Sequence, residues 1–244
     1  MSPTAWNNRH GIELRRCLSC SFVLSAEADY TYEEIGQECS ALQEYAIRRA
    51  LQQQRIPELC DELIQKTKLC TGDSVLDFGC GIGLSALRLQ EQGFVVRGVE
   101  VSQVYLQKHR ELGLVTAESI QQIAQAREGF DLVLLKDVLE HIPEPLPLLQ
   151  EVLTCVKPGK YLYIRVPNRF HYPFHWSIDT KTHVNHFTPK DLDRILRENG
   201  LKKIDFINVY DVSSRVGKLY HALMWPVRSC IPLYHQISSL YQKV

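Results

Sequence analysis

Three glycines at alternate positions, Gly79, Gly81 and Gly83, follow the apolar stretch Val75-Leu76-Asp77-Phe78. Glycine lets the backbone turn sharply after a strand and come close to a ligand. A helix starting at Leu84 would aim free amide groups and the positive end of its dipole at the same spot. The spacing is Gly-x-Gly-x-Gly, with Leu84 where the dinucleotide fingerprint carries its last glycine, so that fingerprint is imperfect. Glu100 stands 17 residues after Gly83, at the end of the next apolar stretch. A carboxylate there can accept hydrogen bonds from both ribose hydroxyls of an adenosine. The plain alternative is a solvated strand-end carboxylate.

The elements around these residues alternate. Ser74 to Phe78 reads as a strand and Leu84 to Gln92 as a helix closed by Gly93. Phe94 to Val101 is the next strand, and a helix from Gln103 to Leu112 ends at Gly113. Leu114 to Thr116 is a short strand and Glu118 to Arg127 a short helix. The run Phe130 to Leu135 is continuously apolar, as in a strand covered on both faces. A helix over Pro145 to Val156 ends at Lys157-Pro158-Gly159, and Tyr161 to Val166 is a further strand. Residues 167–187 read as loop. Thr188-Pro189 caps a helix ending at Asn199-Gly200, and Leu201 to Val209 is the last clear strand. Upstream, Thr31 and Glu34 fit a capping box for a helix to about Gln54, and Pro57 suits the first turn of a second.

Helices between buried strands predict an α/β fold, a Rossmann-like, doubly wound, mostly parallel seven-stranded sheet with N-terminal helices and a C-terminal helical extension. The expected divisions are an irregular segment over 1–30, N-terminal helices over 31–70, the main domain over 71–211 and a basic, aromatic extension over 212–244. In such sheets ligands bind beyond the C-terminal strand ends, where the order reverses.

Composition narrows the function. Of 244 residues, 45% are hydrophobic and 23% charged, which excludes a disordered chain, a collagen-like fibre and a coiled coil. Lys plus Arg is 28 and Asp plus Glu is 28, so the basic excess of a dedicated nucleic-acid binder is missing and no nucleic-acid partner is expected. No run reaches 18 apolar residues and the first 30 lack an apolar signal core, so a cytoplasmic protein with reduced thiols is expected.

Val75 to Gly83 resembles the first motif of class I S-adenosylmethionine-dependent methyltransferases. Gly98-Val99-Glu100-Val101-Ser102 resembles their acidic second-strand motif. Asp137-Val138-Leu139-Glu140-His141-Ile142-Pro143 resembles the fourth-strand motif of the small-molecule branch, and Val156-Lys157-Pro158-Gly159 the loop before the fifth strand. His183-Val184-Asn185-His186-Phe187-Thr188-Pro189 resembles a segment common in that branch, which includes quinone O-methyltransferases and sugar C-methyltransferases. The resemblance covers roughly residues 31–210. It implies S-adenosyl-L-methionine as cofactor and a small-molecule, sugar or lipid-linked acceptor. It implies that Asp77 faces the cofactor's amino group, directly or through water, and that Gly79, Cys80, Gly81 and Gly83 wall the methionine part. Glu100 would hold the ribose, Val101 pack on the adenine, and Glu118 and Ser119 read its edge. Lys136 and Asp137 would border the methyl group. Lys136 departs from the polar or aromatic residues common there, and would bind an acidic acceptor or snorkel to solvent.

An activated sulfonium methyl needs alignment, water exclusion and, for a hydroxyl or acidic carbon, a base. Histidine suits that role. His141 is the first candidate, because in the sugar C-methyltransferases this chain resembles the Glu-His pair is implicated in catalysis; the bland alternative is a loop brace. His183 and His186 are candidate substrate contacts or, alternatively, caps for Thr188-Pro189. Tyr172 and Trp176, with Phe174 and His175, form an aromatic cluster for an acceptor pocket or for the sheet edge.

Cys17 and Cys20 are half of a zinc set, with His10 and Cys39 irregularly spaced additions, so no bound metal is expected. Residues 212–244 carry Arg215, Lys218, Arg228 and Lys243 with no acidic residue. They suit a peripheral membrane contact to a lipid-linked acceptor, or packing on the domain or in a homodimer. Two other classes stay open: a nicotinamide-dependent oxidoreductase and an inactive cofactor-binding partner protein.

Overall fold

The computed structural model describes residues 4–7, 11–26, 56–125, 129–169, 183–207 and 236–244. Three short strands come first, β1 (Thr4–Asn7), β2 (Glu13–Arg16) and β3 (Val23–Ser25). Helix α1 (Ile56–Thr67) leads into β4 (Ser74–Phe78), α2 (Leu84–Glu91), β5 (Val95–Val99), α3 (Gln103–Glu111), β6 (Thr116–Ala117) and α4 (Ile120–Gln125). Then follow β7 (Phe130–Lys136), a 3-10 turn over Leu139–His141, α5 (Pro145–Thr154) and β8 (Val156–Pro167). The chain continues with β9 (Asn185–His186), α6 (Pro189–Glu198), β10 (Leu201–Phe206) and β11 (Gln236–Lys243).

The main sheet has seven strands in the order β10-β11-β8-β7-β4-β5-β6. The pairs β8–β7, β7–β4, β4–β5 and β5–β6 are parallel, and β11 runs antiparallel to both neighbours. From β4 the chain moves outward to β5 and β6, then returns to β7 on the other side. The strand order therefore reverses at β4 and β7, where an α/β sheet opens its ligand crevice.

Alternation along the strands builds two cores. Leu76, Phe78, Val133, Leu135 and Ile164 pack with Ile123 of α4, Leu149 and Val152 of α5 and Leu196 of α6. The intervening Val75, Leu132, Leu134 and Tyr163 pack with Leu59 and Leu63 of α1 and Ala86 and Leu89 of α2. Residues 130–135 are thus buried on both faces, which is why their hydrophobicity is continuous. Each such side chain stabilises by roughly 1.5–3 kcal/mol. Thr188 caps α6 as expected: its hydroxyl accepts the Asp191 N–H at 3.2 Å, and the Asp191 carboxylate accepts the Thr188 N–H at 3.1 Å.

Several expectations are corrected. The C-terminal stretch is not helical where described. Gln236–Lys243 is a strand between β8 and β10, with Ile237, Leu240 and Tyr241 buried. Two sheet edges otherwise lacking hydrogen-bond partners outweigh local preference. The sheet therefore runs past residue 211. Within the segment expected to be irregular, β1, β2 and β3 form an antiparallel meander that continues into β9, inside the expected loop 167–187. Lys157-Pro158-Gly159 bulges out of a longer β8 rather than preceding it. Pairing jumps from Phe130–Val156 to Leu132–Tyr161, and Lys157 and Lys160 both reach Asp131, at 2.7 and 2.9 Å. The helix expected over Thr31 to Gln54 and the residues 208–235 lie outside the described residues. Among the described residues no helix is long and apolar enough to cross a membrane.

Candidate functional site

The glycine loop joins β4 to α2 at the reversal point. Gly79, Gly81 and Gly83 have φ of +64°, +54° and +82°, the left-handed region that disfavours side chains. A Cβ on Gly79 would also stand 2.5 Å from Val138 Cγ2, so the loop lies directly against the segment after β7. Gly79 and Cys80 donate to the Val99 carbonyl at 2.9 and 3.1 Å, leaning the loop over the end of β5. Cys80 itself is buried, and its sulfur lies 2.8 Å from where a Gly98 Cβ would be. Burial pushes its thiol pKa well up, so it acts as wall rather than nucleophile.

The backbone of Gly81 is held at both its N–H and its carbonyl. Its N–H donates to Glu100 Oε2 at 2.8 Å. Its carbonyl lies 2.8 Å from His109 Nε2, while His109 Nδ1 lies 3.1 Å from Thr116 Oγ1. His109 is fully buried on α3, and burial lowers its pKa. The neutral ring satisfies both contacts if Nε2–H donates to Gly81 and the threonine hydroxyl donates to Nδ1. Sequence reasoning missed His109. The available signal was its place on the inward stripe Tyr105-Leu106-His109 of α3.

Glu100 lies at the tip of β5 and is only 8% exposed. Oε1 accepts from the N–H groups of Val101 and Ser102, both at 2.9 Å, and Oε2 accepts from Gly81. Burial raises its pKa, and the three backbone donors work against that rise. A carboxylate has about four acceptor sites. Three are spent on backbone, so the residue is as much a brace of the glycine loop as an open ribose acceptor. The solvated alternative does not describe it.

Asp77 is fully buried, and Lys136 covers it. Lys136 Nζ donates to Asp77 Oδ2 at 3.0 Å and to Ser85 Oγ, in the first turn of α2, at 2.6 Å. Asp77 Oδ1 is equally close to Nζ but out of line, and has no hydrogen-bond partner among the described residues. The expectation that Lys136 snorkels to solvent is therefore corrected, because its side chain is 9% exposed and pairs with the buried carboxylate. Asp137 also departs from expectation. It has φ +53°, and its carboxylate is engaged by Arg165 and Gln236 from β8 and β11, the side of β7 away from β4.

The segment after β7 carries the second half of the site. His141 and His183 are brought together, with ring centroids 5.0 Å apart. Glu140 lies beside them, its Oε1 4.0 Å from His141 Nε2. Glu140 is 1% exposed, its Oε2 lacks a hydrogen-bond partner among the described residues, and burial pushes its pKa well above the usual carboxylate range. The ligand atoms of Glu140, His141 and His183 lie within 4.8 Å of one another, a set that could share a proton or hold a cation. Strand β9 fixes this geometry: Val184 N–H donates to the Glu140 carbonyl at 2.7 Å, and the Asn185 amide donates to the carbonyls of Leu139 and Ile142. His186 does not join. It is fully buried with Nε2 3.1 Å from Ser25 Oγ, an anchor to the N-terminal meander rather than a substrate contact.

Val101 is 40% exposed just past the tip of β5, free to pack against a flat ring. Glu118 is exposed, with Oε1 3.8 Å from an Arg110 nitrogen, and Ser119 immediately precedes α4. Tyr172 and Trp176 lie outside the described residues, as do Phe174, His175, His10 and Cys39. Cys17 and Cys20 sit in the turn between β2 and β3. Hydrogen bonds, first from Ser19, bring the Cys17 thiol down to about 6.

The family model described as a methyltransferase domain matches residues 48–205. Over 121 residues the chain is 30% identical to a ubiquinone biosynthesis O-methyltransferase from Vibrio vulnificus (strain YJ016), covering 46% of this chain and 52% of that protein. The chain thus spans about half the length of the Vibrio relatives it matches. Among solved structures, the [4+2]-cyclase SpnF superposes with TM-score 0.64 at 19% identity, covering 87% of this chain and 96% of that one. The magnesium protoporphyrin IX methyltransferase ChlM from Synechocystis PCC 6803, solved with bound SAM, gives TM-score 0.59 at 15% identity, covering 90% and 100%. Identities this low speak for the fold alone. With the family model extending from before α1 into β10, across the glycine loop, Glu100 and His141, the chain belongs to the methyltransferase domain family.

Proposed function

We propose that this protein transfers the methyl group of S-adenosyl-L-methionine to a small-molecule acceptor. The carrying observation is the left-handed glycine loop at the strand-order reversal, with the buried Glu100 carboxylate at the neighbouring strand tip. In this reading the adenosine lies across the tip of β5. Glu100 uses its remaining acceptor capacity on the ribose, and Val101 meets the adenine face. Glu118 and Ser119 border the adenine edge. Gly79, Cys80, Gly81 and Gly83 supply the close wall along the methionine part, and Asp77 acts there from beneath Lys136. The cofactor, when bound, supplies an already activated methyl group.

What this chain adds is position and proton handling. His141 is 18% exposed and backed by Glu140 and His183, which suits a general base for an acceptor proton. Glu140, whose burial favours its protonated form, lies beside the imidazole as a group that can share the arriving proton. His183 lines the acceptor side, where Tyr172 and Trp176 are expected to complete the pocket. A small-molecule acceptor accords with the ubiquinone biosynthesis O-methyltransferases that the chain is similar to, and a cytoplasmic location is part of the same proposal.

Calorimetry with S-adenosylmethionine and with NAD tests the cofactor, and labelled-methyl transfer into fractionated extract tests the reaction. Saturable binding of the first ligand alone is expected. His141→Ala should bind it within twofold of wild type while transfer falls about 10²–10⁴-fold. Transfer that survives His141→Ala unchanged would remove the base from this mechanism.

A further inference from the structure

Lys136 is the unusual cation of the site, and its surroundings say which ligand charge it serves. It lies on the same face of β7 as Leu132 and Leu134, the face packed by α1 and α2, and it touches Ser85 in the first turn of α2. The next residue, Asp137, pairs instead with Arg165. The ammonium therefore belongs to the glycine-loop side of the crevice and not to the His141–His183 side.

We propose that Lys136 takes the α-carboxylate of the cofactor's amino-acid end, with Asp77 and Ser85 as the positioning residues that hold the ammonium in place. This inference rests on the S-adenosylmethionine reading above. Of the three ammonium donors, one is spent on Asp77 and one on Ser85, which leaves one. Its nitrogen lies at the C-terminal end of β7, beside the loop that would flank the methionine part. A lysine near a sulfonium is repulsive unless something offsets it. Asp77, fully buried and 3.0 Å away, offsets it from below. From above, the cofactor offers one anionic group, its α-carboxylate; the adenosine and the sulfonium offer none. A charge-assisted hydrogen bond of this kind is stronger than a neutral one. Asp77 is then the counter-charge of Lys136, which explains how a fully covered aspartate still governs the methionine end.

The test is calorimetric and uses two ligands with the same adenosine and thioether. S-adenosylhomocysteine has the amino-acid end and 5′-methylthioadenosine lacks it. Lys136→Met should weaken S-adenosylhomocysteine at least tenfold and leave 5′-methylthioadenosine within twofold, while Lys136→Arg should lose less. Because Lys136→Met strands the Asp77 carboxylate, the Asp77→Asn, Lys136→Met double variant removes both charges together. If the single variant does not fold, the double variant decides, and its affinities for the two ligands should converge. Unchanged or tighter binding of S-adenosylhomocysteine in Lys136→Met would overturn the assignment, as would an equal loss for both ligands in a natively melting protein. A wild-type protein that binds neither ligand would overturn the cofactor reading, and this inference with it.

Discussion

Glu100→Gln keeps the size of the side chain but turns one of its two acceptor groups into a donor. In the native site Oε1 accepts from Val101 and Ser102 and Oε2 accepts from Gly81. If the glutamine carbonyl keeps the first two, its NH₂ faces the Gly81 N–H, donor against donor. Flipping the amide leaves two donors unsatisfied instead of one. A buried unsatisfied donor costs about 1–3 kcal/mol. Part of that is offset, because burial already disfavours the carboxylate and raises its pKa. For a chain of this size each kcal/mol shifts Tm by about 2–4 °C, so a fall of a few degrees is expected. Binding should suffer more. The loop loses its brace and the ribose loses a charged acceptor, a bond of about 1.5–3 kcal/mol. At about 1.4 kcal/mol per tenfold, S-adenosylhomocysteine should bind roughly ten- to a hundredfold more weakly by calorimetry, with native circular dichroism. A dissociation constant within twofold of wild type would refute the reasoning that ties this residue to both loop and ribose.

Three further outcomes follow from the same geometry. His109→Leu should destabilise by about 1–3 kcal/mol, because the Gly81 carbonyl and the Thr116 hydroxyl both lose a buried partner; chemical denaturation reads it. The folded-state pKa of His109 lies below its ordinary value, so its contribution is complete above pH 6.5 and is lost as pH falls below that. The loss should be absent in the leucine variant. Glu140→Gln should raise stability at pH 7 relative to wild type, since burial lifts the Glu140 pKa and makes its charge a cost that grows as pH rises above 4.5. Melting curves should show that advantage shrinking as pH falls toward 4.5. Removing residues 236–244 should abolish cooperative unfolding, because it takes the strand between β8 and β10 together with buried Ile237, Leu240 and Tyr241. A truncated protein with a native melting transition would contradict the sheet order.

How far the sequence could be read depended on whether a signal was local. The glycine loop, the buried run 130–135 and the Thr188–Asp191 cap each announce themselves within a few residues, and the structure has each of them. The strand β11 does not. Ser238, Ser239 and Gln242 dilute its pattern, and it becomes a strand because β8 and β10 offer it two edges from far away in the chain. The same holds for the site. Glu100 was legible from its spacing, but its bond from Gly81 was not, since that depends on how the loop lies over β5. Lys136 and Asp77 are 59 residues apart, and only the β4–β7 pairing makes them an ion pair. His186 reads like His183 in sequence, yet three residues apart the first turns into the meander and the second toward His141.

The most direct measurement is a crystal structure of this protein with S-adenosylhomocysteine bound. The ribose should lie within hydrogen-bonding distance of Glu100, the thioether should pass the Gly79–Gly83 loop, and the sulfur should face the His141–His183 pair. Nucleoside density away from the β4–β5 tips, or a ligand that leaves Glu100 with its three backbone donors alone, would contradict the account.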